Sequence, residues 1–131
     1  METLNPQQLA EEGQVEYSKG EYLSAARLYK AAADGYLAEG NELIAAEMAN
    51  NCSVAFLKGG NAEAALEAVM GTDIIFLNKG DTLRRAMAIG NQAAALENLK
   101  RSSEALLDET GGFRDYQMRI ISLSLQQLVK L

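Results

Sequence analysis

The stretch GQVEYSKGEYLSAARLYKAA, residues 13–32, decides the fold, because its main features return forty positions later. Gly20 is matched by Gly60, and Ala25 is matched by Ala65. Other pairs at the same spacing are Gly40 and Gly80, Leu43 and Leu83, Ala46 and Ala86, Asn51 and Asn91, and Tyr36 and Phe76. Self-similarity at a fixed period is the signature of a repeat architecture. The period predicts three copies within the 131 residues.

The composition favours helices along the whole chain. The sequence is 48% hydrophobic, a normal share for one globular domain, and Pro6 is its single proline. Alanine, the strongest helix former, is frequent, whereas the β-branched residues that favour strands are sparse. The sequence therefore predicts one all-α domain over residues 1–131.

Turn and capping residues predict where the helices begin and end. Proline suits the first turn of a helix, glycine suits its end, and Asn, Asp or Ser suits the N-cap. The residues with these properties are Pro6; Lys19-Gly20, Gly59-Gly60 and Lys79-Gly80; and Asn41, Asn61, Asp81 and Ser102. The predicted helices are 6–18, 22–38, 42–58, 62–78, 82–99 and one from 103 onward, with Gly71 inside the fourth.

Three sets of small residues occupy matching positions in the three copies. They are Gly13, Ser53 and Ala93; Ala25, Ala65 and Ala105; and Ala32, Thr72 and Gly112. Small side chains let two helix axes approach closely. Because the first set lies on one helix and the others on the next, each copy is predicted to be an antiparallel helix hairpin.

These residues resemble a known family. The first copy is similar to the tetratricopeptide repeat in its glycines, aromatic residues and alanines, which are Gly13, Tyr17, Gly20-Glu21-Tyr22, Ala25, Tyr29 and Ala32. The second copy keeps Phe56, Gly60 and Ala65 at the matching positions, and the third copy keeps Leu96 and Ala105. The forty-residue period and the positions of Asn51 and Asn91 resemble the variant found in adaptor and scaffold proteins, over residues 6–120. The chain departs from the family pattern in having no tryptophan, Lys100 in place of a turn glycine and Glu109 in place of an aromatic residue.

The resemblance implies an α-solenoid of three antiparallel hairpins, with repeats at 6–40, 41–80 and 81–117 and a C-terminal helical extension at 113–131. It also implies a concave groove, lined by the first helix of each pair, that binds a peptide or helix of another protein. On this basis the protein is expected to be a non-enzymatic scaffold or adaptor.

Helical spacing places candidate groove residues on one face of each first helix. The predicted groove residues are Gln14, Tyr17, Asn50, Asn51, Val54, Leu57, Lys58, Met87, Asn91 and Asn98, and Gln7, Ala10 and Glu11 share the face of the first helix. The amides can bond a partner's backbone, and the apolar side chains can contact its side chains. A solvated or capping role for Asn51 and Asn91 is the alternative. A clamp for an acidic C-terminus is not expected, because the matching positions hold Ala10, Gln14, Met87 and Asn91.

Several functional classes are disfavoured by composition. The chain has no histidine, and Cys52 is its single cysteine, so neither a Cys/His zinc site nor an internal disulfide can form. Cys52 is predicted on the helix face that meets the partner helix, and so buried. The net charge of −6 argues against nucleic acid as a partner. No catalytic residue, metal or cofactor is predicted, and a cytoplasmic protein without membrane insertion is expected.

The C-terminal residues carry two apolar stripes on the predicted last helix. One contains Phe113, Tyr116, Ile120 and Leu123, and the other contains Met118, Ile121, Leu125 and Leu128. One stripe can pack on the repeats, whereas the second needs a neighbour. The alternative function is therefore a structural or oligomerisation module whose groove or C-terminal helix mediates self-association, most simply as a homodimer. A helix that continues through Gly111-Gly112 is favoured over one that breaks there.

Overall fold

The computed structural model describes residues 3–106 and residue 122, and in this part of the chain the secondary structure is entirely helical. The helices are α1 (Pro6–Ser18), α2 (Tyr22–Ala38), α3 (Glu42–Lys58), α4 (Ala62–Val69), α5 (Thr72–Asn78) and α6 (Thr82–Leu106). The predicted all-α class is confirmed for these residues, and the predicted bounds of the first three helices agree with the structure.

Side chains from the preceding residues cap α1, α3, α4 and α6. At α1, Asn5 accepts a hydrogen bond from the Gln8 backbone N–H at 2.8 Å, the Gln8 side chain returns one to the Asn5 N–H at 3.0 Å, and Pro6 occupies the first turn. The predicted caps Asn41, Asn61 and Asp81 are confirmed; they accept from the N–H groups of Ile44, Ala64 and Arg84 at 3.2, 3.1 and 3.0 Å. Each such bond satisfies one of the free donors at a helix start.

Four turns share one geometry and recur every twenty residues. Gly20, Gly40, Gly60 and Gly80 have φ values of 81°, 79°, 85° and 73°. In each turn the N–H after the glycine bonds the carbonyl five residues back at 2.9 Å, as Glu21 does to Glu16. This is the Schellman ending, whose left-handed residue is best supplied by glycine.

The predicted break near residue 100 is wrong, because α6 runs without interruption to Leu106. The next turn in the twenty-residue series would need its left-handed residue at position 100, which holds Lys100. A lysine has a Cβ that disfavours positive φ and a side chain that suits a helix interior. Ser102 consequently lies within α6 and is not an N-cap.

The predicted fourth helix, 62–78, is wrong in the opposite sense, because it consists of two short helices. Met70 is extended and Gly71 has a φ of 86°, which ends α4 and starts α5. The Thr72 hydroxyl lies 2.8 Å from the Val69 carbonyl oxygen and 3.1 Å from the Asn50 carboxamide oxygen. The Thr72 hydroxyl therefore joins the break between α4 and α5 to α3.

Connections of three residues at 19–21, 39–41, 59–61 and 79–81 make neighbouring helices antiparallel. Contacts join α1 to α2, α2 to α3 and α3 to α4, while α6 packs on α3, α4 and α5. One core cluster contains Ala25, Ala26, Tyr29, Cys52 and Ala55, and a second contains Ala46, Val69, Phe76 and Ala88. Helix α3 thus lies at the centre of the described structure.

The small residues predicted between paired helices are buried in the first two copies. A Cβ at Gly13 would lie 3.2 Å from the Tyr29 ring, and the buried Ser53 hydroxyl donates to the Ala65 carbonyl at 2.7 Å. Ala93, by contrast, is exposed. The predicted helix that would cover it begins near Ala105, whose side chain, like Gly112, lies outside the described residues. The predicted close packing of small residues is therefore confirmed for the first two copies. It is wrong for Ala93, which is exposed and not buried between helices.

Candidate functional site

A pocket of about 510 Å³ lies between α1 and α3, and its lining includes Tyr29 of α2. Its lining residues are Gln7, Ala10, Glu11, Gln14 and Tyr17 of α1, Tyr29 of α2, and Met48, Asn51 and Val54 of α3. The α1 residues share one face because their spacing is three or four. Gln14, Tyr17, Asn51 and Val54, all predicted groove residues, therefore line one pocket.

Two lining residues, Tyr29 and Met48, were missed as site residues by sequence reasoning. Tyr29 was assigned to the repeat motif and Met48 to no site. Met48 lies one turn before Asn51 on the same face of α3, so helical spacing could have identified it. Helical spacing could not have identified Tyr29, because it lies on α2 and its ring packs against Gly13 of α1.

Asn50 is the clear error among the predicted groove residues. It is only 5% exposed and lies 3.1 Å from the Thr72 hydroxyl, so its side chain points into the contact between α3 and α5. One residue along a helix is a rotation of about 100°, which separates Asn50 from Asn51. The Asn50 carboxamide thus has a structural role.

The Asn51 carboxamide is half-buried at the edge of the pocket. It forms no hydrogen bond to another described residue, although a carboxamide can donate two hydrogen bonds and accept two. The same holds for Asn91 on α6, which is also half-buried but does not line this pocket. Asn51 is therefore the amide best placed to bond a molecule in the pocket.

An exposed lysine lies beside the far end of the pocket. Lys58 Nζ is 5.3 Å from the centre of the Tyr17 ring and 5.8 Å from that of the Tyr22 ring. The two rings meet edge to face, with centres 5.2 Å apart and planes at 70°. A hydrogen bond with Tyr17, with smaller effects from the charges of Tyr17 and Tyr22, raises the pKa of Lys58. This contact holds the cation over two aromatic faces.

The remaining predicted groove residues do not line the pocket. Leu57 packs against the core cluster of Ala65, Leu66, Ala95 and Leu99. On α6, Met87 is exposed, and Asn98 Nδ2 donates to the Ala94 carbonyl of its own helix at 3.3 Å. The predicted self-association residues Met118, Ile121, Leu125 and Leu128 lie outside the described residues. In the described part of the chain, the concave pocket is formed by the first three helices.

Arg84 at the start of α6 ties that helix to α3. Its guanidinium lies 2.8 Å from Asp81 and 3.2 Å from Glu47. Hydrogen bonds to Asp81 and then to Glu47 raise the pKa of Arg84, while bonds from the Arg84 backbone and side chain lower the pKa of Asp81. Glu47 is therefore occupied by an internal partner and is not a free charge on the concave face.

Two fully buried polar side chains join α5 to α6. Gln92 Nε2 donates to Asp73 Oδ1 at 3.0 Å, and both side chains are 0% exposed. Asp73 Oδ2, Gln92 Oε1 and Arg85 Nε have no hydrogen-bond partner among the residues that the structure describes. Among the described residues, no group of three His, Cys, Asp or Glu side chains could hold a metal ion. The pair is therefore interpreted as a structural contact that positions α5 against α6.

Cys52 is buried, as predicted, with 1% of its surface exposed, and it packs in a core cluster with Ala25, Ala26 and Tyr29 of α2. Burial raises the pKa of the thiol to about 11, while the charge of Lys30 opposes the shift and that of Asp34 adds to it. The thiolate is the reactive form of cysteine. At neutral pH Cys52 is consequently a buried neutral thiol.

No family model, curated protein or solved structure matches the chain. Within residues 3–106, no helix combines the length and the apolar character that a membrane span requires. The geometry of the pocket between α1 and α3 is thus the basis on which function is inferred.

Proposed function

We propose that the protein is a non-enzymatic scaffold that binds an extended segment of another protein in the concave pocket between α1 and α3. The observation that carries this proposal is the combination of lining groups. Tyr17, Met48 and Val54 offer apolar contact, and Asn51 offers unused hydrogen-bonding groups beside them. Recognition sites for extended peptides use this combination, since amides bond the backbone while apolar surfaces take the side chains.

The proposal includes a tetratricopeptide-like α-solenoid as its scaffold. Two hairpins support it: α1 with α2, and α3 with the broken pair α4 and α5. The repeated glycine turns and the burial of Ala25 and Ala65 give both hairpins the same close packing. A third hairpin would need its turn beyond Leu106, because α6 continues through the expected position.

The chemistry of the described residues also favours binding over catalysis. Cys52 is buried as a neutral thiol, and the chain has no histidine that could act as its base. The acidic side chain in the pocket, Glu11, has no second carboxylate among the lining residues. A binding module requires only the shape and the hydrogen-bonding groups that the pocket presents.

Peptide display against the immobilised protein tests this function, with Val54→Lys as the blocking variant. A lysine at Val54 would place a long charged chain in the pocket. Leu37→Lys is the matched control, because Leu37 is exposed on α2 and lies outside the pocket. Selected peptides should bind the wild type and Leu37→Lys equally, and Val54→Lys about tenfold or more weakly. Equal binding to all three proteins would place the site elsewhere.

A second candidate function is self-association, and two exposed side chains on α6 favour it. Leu83 is 73% exposed and Met87, one turn later, is 53% exposed. We propose that this face and the predicted residues Met118, Ile121, Leu125 and Leu128 contribute to a homodimer. Light scattering should then report a dimer for the wild type and a monomer for Leu125→Glu and Met87→Glu. A monomeric wild type at high concentration would rule this function out.

A further inference from the structure

Two opposite charges lie along the pocket. Glu11, on its α1 wall, is the charged side chain among the lining residues that the structure describes, and its one bond is a 3.5 Å contact from Gln7 Nε2. Lys58 flanks the Tyr17 end of the pocket, over the Tyr17 and Tyr22 rings. In the described structure neither Glu11 nor Lys58 forms an ion pair.

Two of the neighbouring charges are paired within the protein. Glu47 is paired with Arg84 at 3.2 Å, and Lys19 is paired with Glu16 at 3.7 Å. Nearby opposite charges of this kind cancel much of each other's field at the distance of a bound ligand. Because Glu11 lines the pocket and Lys58 borders it, these two are the charges closest to a bound ligand.

The distance between the two charges along the helix axes follows from helix geometry. Glu11 and Tyr17, which contacts Lys58, are six residues apart on α1, a rise of about 9 Å. Asn51 and Lys58 are seven residues apart on α3, a rise of about 10 Å. Because α1 and α3 are both antiparallel to α2, they run in the same direction. Gln7 and Met48 thus lie at one end of the pocket, Glu11 and Asn51 lie near its middle, and Tyr17, with Lys58 beside it, lies at the other end.

This span corresponds to about three residues of an extended chain, at about 3.3 Å per residue. In a helical ligand the same span would correspond to about six residues. The unused Asn51 carboxamide favours the extended form, since a helix has already paired its backbone groups. The aromatic contacts hold Lys58 in place before binding, which lowers the entropy lost when a carboxylate reaches it.

We propose that the pocket binds an extended peptide segment with a basic and an acidic side chain about three residues apart, the base at Glu11 and the acid at Lys58. This inference rests on the proposed scaffold function and defines the chemistry of its partner. The two opposite charges fix the direction in which the segment lies in the pocket, and they also contribute to its affinity.

Three pools of synthetic peptides, each about ten residues long with randomised flanks, test the proposal. The first pool has Lys and Glu three residues apart in either order, the second has them six residues apart, and the third has Gln at both places. The wild type should retain the first pool about fivefold more than the other two. Retention of the second pool above the first would overturn the extended conformation, and equal retention of all three would overturn the charge pair.

A double-mutant cycle with a peptide from the first pool then assigns the contact at Lys58. The cycle combines Lys58→Gln in the protein with replacement of the peptide's Glu by Gln. We expect each change to weaken binding about fivefold, and the two together to cost little more than one. Lys79→Gln, an exposed lysine in the turn before α6, is the matched control and should leave binding unchanged.

The outcomes separate this inference from the scaffold function. Independent effects in the cycle, with binding still blocked by Val54→Lys, would refute the charge pairing and leave the scaffold function intact. Failure of the wild type to retain any pool above Val54→Lys would refute both.

Discussion

Asn50 and Asn51 are adjacent, chemically identical side chains on α3 that the structure places in different roles. Replacing each with alanine in turn therefore separates a structural amide from a pocket amide. The change in helix propensity is the same in both variants, a gain of about 0.6 kcal/mol for alanine over asparagine. Any difference in stability between them must come from the contacts of the carboxamide.

The contacts predict a clear difference between the two variants. Asn50→Ala removes the 3.1 Å contact with Thr72, worth about 1 kcal/mol, and leaves a small cavity at a site that is 5% exposed. Thr72 retains the Val69 carbonyl at 2.8 Å, so its hydroxyl is not left without a partner. We expect Asn50→Ala to lower the free energy of unfolding by about 1 to 2 kcal/mol. Asn51→Ala, which loses no internal bond, should leave it unchanged or slightly raised.

Urea and thermal unfolding, followed by circular dichroism, measure this difference. In a domain of this size, Asn50→Ala should lower the melting temperature by about 4 to 8 °C. Thr72→Val should show a non-additive effect with Asn50→Ala, because both remove the same contact. Equal stability of the two asparagine variants, or a larger loss for Asn51→Ala, would show that the assignment of the two faces of α3 is wrong.

Further stability and reactivity measurements test other parts of the structure. Gly71→Ala should lower the free energy of unfolding by about 1 to 2 kcal/mol, because Gly71 has a φ of 86°. Gly90→Ala should raise it by up to about 1 kcal/mol, because Gly90 lies within a helix with open space around it. Equal effects of the two variants in urea unfolding would refute the break between α4 and α5. Ala65→Leu should cost about 1 to 3 kcal/mol, and a parental melting curve would contradict the close packing of α3 and α4. Since burial raises the pKa of the Cys52 thiol to about 11, the folded protein favours the neutral thiol. The stability that this preference contributes should be fully present below pH 9, near the pKa of the thiol in the unfolded chain, and should be lost as pH rises through 11. Cys52→Ala should not show this loss. Iodoacetamide labelling of native Cys52 should be slow at pH 8, and rapid labelling would contradict its burial.

Much of the helical framework was predictable because its signals are local. The ends of α1, α2 and α3 follow from Gly20, Gly40 and Gly60, and the starts of α3 and α4 from Asn41 and Asn61. A left-handed glycine and a capping side chain act within a few residues of the helix end, so neither needs the rest of the fold. The substitution of Lys100 in the glycine series was visible too, although the continuation of the helix through it was not predicted.

The roles of individual residues depended on the tertiary structure. Gly71 and Gly90 are the same residue type in similar sequence, yet one breaks a helix and the other lies within one, since only Gly71 is followed by a side chain anchored to α3. Asn50 and Asn51 differ by one position, and the packing of α3 against α5 decides that Asn50 is the buried one. The sequence by itself determined the helical class, the bounds of α1, α2 and α3 and the period of the repeat, because those depend on local backbone preferences. Which side chains form the pocket was decided only by the packing of the helices, because a rotation of about 100° about a helix axis exchanges a core residue for a surface residue.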